Sequence, residues 1–172
     1  MSFPRRVAAY GKFHVLAASI IVADQVTKLA IQREPSLPLE SYWPSGGIEV
    51  IPGFFYLAHI ANTGAAWGMF PGFKTGFVVI GFFALATIFI YRNQLNLKST
   101  AMQISFGLLC GGIIGNLIDR VRLHYVVDFL DFHLPGYRWP AFNVADSCIS
   151  IGVAIYIMIS IIESRQRASP EE

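Results

Sequence analysis

Asp24, Lys28, Asn116, Asp119, Arg120, Asn143 and Asp146 interrupt or end runs that are otherwise apolar, and Asp128 and Asp131 stand close by in the run V-V-D-F-L-D-F. The chemistry open to this set is carboxylate chemistry. Two aspartates a few ångströms apart cannot both ionise readily, so one keeps a proton while the other serves as base toward a water molecule. Other chemistries lack their residues. His14, His59, His124 and His133 have no metal-ligand spacing, so neither a metal nor a cofactor is expected. No serine stands with a histidine or lysine in a nucleophile motif. Cys110 and Cys148 form no C-x-x-C pair and sit inside apolar runs, as buried small hydrophobes do.

Helical spacing groups these residues. Asp24 and Lys28 are i,i+4 with the acid first, the favourable order for an ion pair, and read as a structural pair. Asn116, Asp119 and Arg120 are i, i+3, i+4 and share a face, with Asp119 again read as structural. Asn143 followed by Asp146 has the pattern of a capping box, and a helix N-terminus also holds a carboxylate ionised. If the Asp128–Asp131 run is extended, the two acids point to opposite faces, so only one of them can meet Asp146. Spacing alone leaves open which.

The elements that must position these groups are membrane helices. Apolar residues make up 54% of the 172 and charged residues 14%, well under the roughly 25% of soluble domains, and the mean hydropathy is +0.51. A span needs about 20 mostly apolar residues, and four runs qualify, at about 12–31, 73–91, 99–118 and 143–162. The basic N-terminus before the first run resembles a signal peptide, but Asp24, Gln25 and Lys28 continue its helical register, so it reads as a retained helix. The segments 32–72 and 120–140 are long and rich in Pro, Gly and aromatics, whereas 92–98 is a short polar turn. I-E-V-I and F-F-Y-L-A-H-I read as short strands, and residues 61–70 as a short amphipathic helix at the interface. Residues 168–172 read as a disordered tail. With both termini cytoplasmic, the inner side carries Arg5, Arg6, Lys12, Arg92, Lys98, Arg165 and Arg167, in keeping with the positive-inside rule. The ends bearing Asp24, Asp119 and Asp146 then fall on one outer side. A net charge of +2 without a basic, aromatic-interleaved run excludes nucleic acid as a partner. A proton-coupled transporter using Asp24 or Asp119 would place its acid near the membrane midplane, not at one end of the bundle.

Five motifs in order make a further reading available: Asp24-Gln25-x-x-Lys28, Asn62-Thr63-Gly64-Ala65-Ala66, Gly112-x-x-Gly115-Asn116-x-x-Asp119-Arg120, Val127-Asp128-Phe129 and Phe142-Asn143-x-Ala145-Asp146-Ser147. On these the chain resembles lipoprotein signal peptidase (signal peptidase II) over nearly its whole length. The resemblance implies a mostly α fold: a four-transmembrane-helix bundle with a small extracytoplasmic strand-rich cradle and a short interfacial helix, forming a single domain over 1–172. It implies an aspartic endopeptidase of the bacterial inner membrane, without a metal, that acts on diacylglyceryl-modified prolipoproteins amid membrane lipids, as a monomer. It maps the catalytic pair onto Asp128 and Asp146, and the supporting residues onto Asn62, Gly64, Asn116, Arg120 and Asn143.

Overall fold

The computed structural model describes residues 10–64 and 72–168. Most of the stretch expected to form the interfacial helix, residues 65–70 of 61–70, lies outside the described residues, as do Arg5, Arg6 and residues 169–172 of the expected tail. Of the remainder of that stretch, Ala61 and Asn62 end a strand. In chain order the elements are α1 (Gly11–Arg33), β1 (Ile48–Ile51), β2 (Phe55–Asn62), α2 (Lys74–Tyr91), α3 (Thr100–Arg122), β3 (Val126–Leu134), β4 (Tyr137–Arg138) and α4 (Val144–Ala168).

Each expected apolar run is a helix. Three of them, α1, α3 and α4, are long and apolar enough to cross a membrane, and α2 is a shorter apolar helix. Their outward faces carry bare hydrophobes such as Val22 on α1, Phe83 on α2 and Met158 on α4, an array that water would not tolerate and hydrocarbon does. α3 is the central helix. It packs on both α1 and α4, and glycine makes the approach close. A Cβ at Gly111 would stand 2.9 Å from the carbonyl oxygen of Ala17, and one at Gly112 would stand 2.5 Å from that of Ala145. Small residues are the means by which membrane helices gain van der Waals contact where no hydrophobic drive separates helix from lipid.

α3 runs to Arg122, four residues beyond the expected end of the apolar run at 118, and Asp119 and Arg120 close the helix as their spacing from Asn116 predicts. Beyond the helices the chain folds a four-stranded antiparallel sheet of order β1-β2-β3-β4. β1 and β2 are the two expected strands; β4 carried no strand signal, being two residues long. In β3 the side chains alternate. Val126, Asp128, Phe132 and Leu134 line a groove, while Val127 and Phe129 pack with Ile31 at the end of α1 and with Leu37. The sheet therefore sits on the ends of the helices, and β3 carries one face toward them.

Candidate active site

The N-terminus of α4 is the meeting point of the polar residues. Asn143 precedes the helix; its Oδ1 accepts the Asp146 N–H at 2.9 Å, and Asp146 Oδ2 accepts the Asn143 N–H at 3.3 Å. This is the capping box that the spacing predicts. The amide of Asn143 is fully buried and its Nδ2 donates to Asp128 Oδ1 at 2.7 Å. One residue thus holds both carboxylates: the Asn143 side chain bonds that of Asp128, and the Asn143 backbone N–H bonds that of Asp146. Asn62, the last residue of β2, donates to the other oxygen of Asp128 at 2.8 Å, and its own Oδ1 accepts the Gly64 N–H at 2.9 Å, which sets the amide's orientation. Asn116 Nδ2 donates to Asp146 Oδ1 at 2.7 Å.

Asp128 and Asp146 open into one groove of about 750 Å³. Asn62 and Arg120 share it, and its walls are apolar: Phe132, Phe142 and Trp139 from the sheet side, and Ile149 and Ile151 from α4. Phe132 stacks on Phe55 and on Phe142, which stiffens that wall. Burial and the neighbouring Asp146 carboxylate push Asp128 up to about 7, against the hydrogen bonds from Asn62 and Asn143 and the charge of Lys28, which pull it down. An acid poised near neutrality beside a second carboxylate is what general acid–base work requires. Arg120 donates to the Gly64 carbonyl at 3.3 Å, and its guanidinium lies 5.2 Å from the centre of the Phe77 ring. It brings a positive charge to the groove and ties α3 to the loop after β2.

Asp131 is placed elsewhere. It is fully buried on the opposite side of β3, gripped by Arg138 through two bonds of 2.9 and 2.7 Å, with His133 Nε2 at 3.1 Å. Asp24, Lys28 and Asp119 form a buried cluster under the site, with the Lys28 ammonium 2.9 Å from each carboxylate. Asp24 and Lys28 are thus the expected pair, but Lys28 has a second acid in Asp119. Asp24 Oδ1 accepts the Ala145 N–H at 3.0 Å, so α1 clamps the first turn of α4. Asp119 Oδ2 accepts the Val127 N–H at 3.1 Å, so α3 clamps β3. These long-range bonds to backbone groups have no sequence signature. Gln25 was given no role by its position, yet it donates to Asp119 Oδ1 at 3.0 Å and to the Gly115 carbonyl at 3.2 Å; its place beside Asp24 and three residues before Lys28 was the available signal. Cys110 and Cys148 are buried and free.

The profile of the signal peptidase (SPase) II family matches residues 16–162. The chain belongs to the signal peptidase II family. It is 39% identical to the lipoprotein signal peptidase of Symbiobacterium thermophilum, an alignment that covers 88% of this chain and 95% of that protein. The lipoprotein signal peptidase of Geobacter metallireducens is 37% identical, with 92% and 96% covered. A solved structure described as a bacterial membrane enzyme superposes with a TM-score of 0.80 at 34% identity and covers 94% of both chains. A second, similarly described, gives 0.74 at 36% identity over 88% of this chain and 92% of that one. Membership of signal peptidase II makes the chain a peptidase and a membrane protein, and the matched region contains every polar residue of the groove.

Proposed function

We propose that the chain is an intramembrane aspartic endopeptidase that removes the signal peptide from diacylglyceryl-modified bacterial prolipoproteins, cleaving before the lipidated cysteine. The observation that carries this reading is the pairing of Asp128 and Asp146 around the buried Asn143 amide, in a groove that is otherwise apolar. A water held between the two carboxylates loses a proton to the ionised one and attacks the carbonyl carbon of the scissile bond. The protonated partner donates to the carbonyl oxygen, and collapse of the tetrahedral intermediate sends a proton to the leaving amine. Asp146, at a helix N-terminus, is the anion at rest, and Asp128 holds the shared proton. Asn62, Asn116 and Arg120 hold the substrate backbone and the carboxylates in place, and Gly64 fixes Asn62 through its N–H. The apolar walls take the signal helix while the lipid stays in the bilayer. Neither metal nor cofactor is needed. The direct test is cleavage of a diacylglyceryl-modified substrate by the purified chain, and its loss when either aspartate is replaced.

The pH profile tests the same reading independently. With Asp128 giving up its proton at about 7, kcat/KM falls on the alkaline side with a midpoint near that value, because both carboxylates are then ionised and none can donate. Initial rates in detergent from about pH 5 to about pH 9 measure it. A rate that holds level to the upper end removes Asp128 as the acid.

The same reading sets the topology. The chain is one domain over 1–172, with four spans, α2 being the second, in the inner membrane. Both termini and the 92–98 turn are cytoplasmic. Residues 32–72 and 120–140 lie outside, so the site is at the periplasmic or outer face and the enzyme works as a monomer among lipids. Ser45 and Gln94 are both exposed, and Cys110 and Cys148 are buried. A membrane-impermeant maleimide added to intact spheroplasts therefore labels Ser45→Cys and spares Gln94→Cys. The reverse pattern overturns the orientation.

A further inference from the structure

The Lys28 ammonium has three protons and three acceptors, each at 2.9 Å: Asp24 Oδ2, Asp119 Oδ2 and Asn116 Oδ1. Two carboxylates suffice to neutralise a buried lysine. The third bond goes to an amide whose other end, Nδ2, donates to Asp146 Oδ1 at 2.7 Å. Asn143 Nδ2 also lies 3.3 Å from the same Asn116 oxygen. Turning the Asn116 amide over would set its NH2 against the ammonium and its carbonyl against the Asp146 carboxylate, so the orientation is locked. This chain runs from a buried cation straight to Asp146, and through the Asn143 amide it also reaches Asp128. Arg120 shares the groove, but it donates to the Gly64 carbonyl.

We propose that Lys28 is a positioning residue for the peptidase: acting through the locked Asn116 amide, it holds Asp146 as the ionised member of the pair and aims one of its oxygens. This inference rests on the aspartic reading above. Lys28 itself is 2% exposed and does not line the groove. Its influence travels through one polarised amide, a path along which a charge acts strongly because water is excluded. The charged and titratable groups around Asp146 are Asp24 and Lys28 from α1, Asp119 and Arg120 from α3, and Asp128 from β3. Lys28 is the only one of them joined to it by this route.

The test is the pH dependence of kcat/KM for Lys28→Met in detergent with a diacylglyceryl-modified peptide. Losing the cation makes both ionisations of the pair harder, so both limbs of the bell move to higher pH by about one unit. The maximal kcat falls about tenfold, with KM within about threefold, because the Asn116 amide is no longer held. A lysine that only stabilised the bundle would lower the amount of active enzyme and leave the limbs where they are. Lys28→Met/Asp24→Asn covers failure of the single variant to fold: it keeps the cluster's charge balance and an oxygen for the Ala145 N–H, and it gives a smaller shift in the same direction. Limbs at their wild-type positions in whichever of these variants folds overturn the proposal. The aspartic reading is judged separately by the wild-type enzyme and the Asp128→Asn and Asp146→Asn variants. If those are inactive while the Lys28 variants keep the wild-type limbs, the inference about Lys28 fails alone.

Discussion

Asp128→Asn and Asp146→Asn each yield a folded, substrate-binding protein in which cleavage falls by about 10⁴-fold or more. Asparagine keeps the volume of aspartate but cannot act as base or acid. The structural cost is small and asymmetric. Asp128 receives an amide N–H on each oxygen, from Asn143 and from Asn62, so an asparagine there loses one of the two bonds, worth about 1 kcal/mol. At position 146 the new NH2 can take the place of the oxygen that accepts only the 3.3 Å bond from the Asn143 N–H, and the 2.7 Å bond from Asn116 survives. Asp146→Asn is thus the milder change to the fold and an equally severe one to turnover. On the proposed mechanism the two acids share one proton and act as a unit, so the double variant is little slower than either single one. Single-turnover cleavage by purified variants, alongside a binding measurement with uncleaved substrate, decides the matter. Substantial turnover by either variant refutes the aspartic mechanism and turns attention to Asp119. Asp131, on the far side of β3 and held by Arg138, is not placed to replace them.

Asp24→Ala produces the largest loss of stability. Asp24 is fully buried, pairs with Lys28 at 2.9 Å and accepts the Ala145 N–H at 3.0 Å. Removing one partner of a buried ion pair costs about 3–5 kcal/mol, and here the lower end applies because Asp119 still neutralises Lys28. The orphaned Ala145 N–H adds to the loss and loosens the first turn of α4, where Asp146 sits. Thermal unfolding in detergent should show a clear drop in midpoint and a low yield, while the fraction that remains folded still cleaves. A variant with a normal melting point and no activity makes Asp24 part of the chemistry instead.

Much of this was legible in the residues. The four apolar runs are all helices, and three of them are long and apolar enough to cross a membrane, where a helix satisfies the backbone's polar groups internally. The capping box at Asn143 and Asp146 was legible because it is local: donor and acceptor lie three residues apart. The ion pair of Asp24 and Lys28 was legible for the same reason. What escaped is non-local. Asp119 serves β3 through the Val127 N–H, Asp24 serves α4 through the Ala145 N–H, and Asn116 joins Lys28 to Asp146. Each is a contact between segments distant in sequence, and no periodicity reports it. The choice between Asp128 and Asp131 was of this kind too. Alternation along an extended run shows that they diverge but not which of them turns toward α4, and only the resemblance to signal peptidase II favoured Asp128.

The alternation of β3 has a consequence for how the protein can go wrong. Asp128 and Asp131 are carboxylates on opposite sides of one strand, so a slip of a single residue during assembly would send Asp128 to the far side and deliver Val127 or Phe129 to the groove. Nothing in hydrophobicity forbids this, since both sides of the strand are largely apolar. The bonds that pin the alignment are polar and specific to one side chain: Asn143 and Asn62 donate to the two oxygens of Asp128, at 2.7 and 2.8 Å. The pairing of Ile60 with Asp128 lies just past an irregularity in the β2–β3 ladder, where a frame error would be easiest. Asn62 and Asn143, held by other segments, thereby act as a proofreading clasp: a slipped strand would take away the carboxylate that both amides hold.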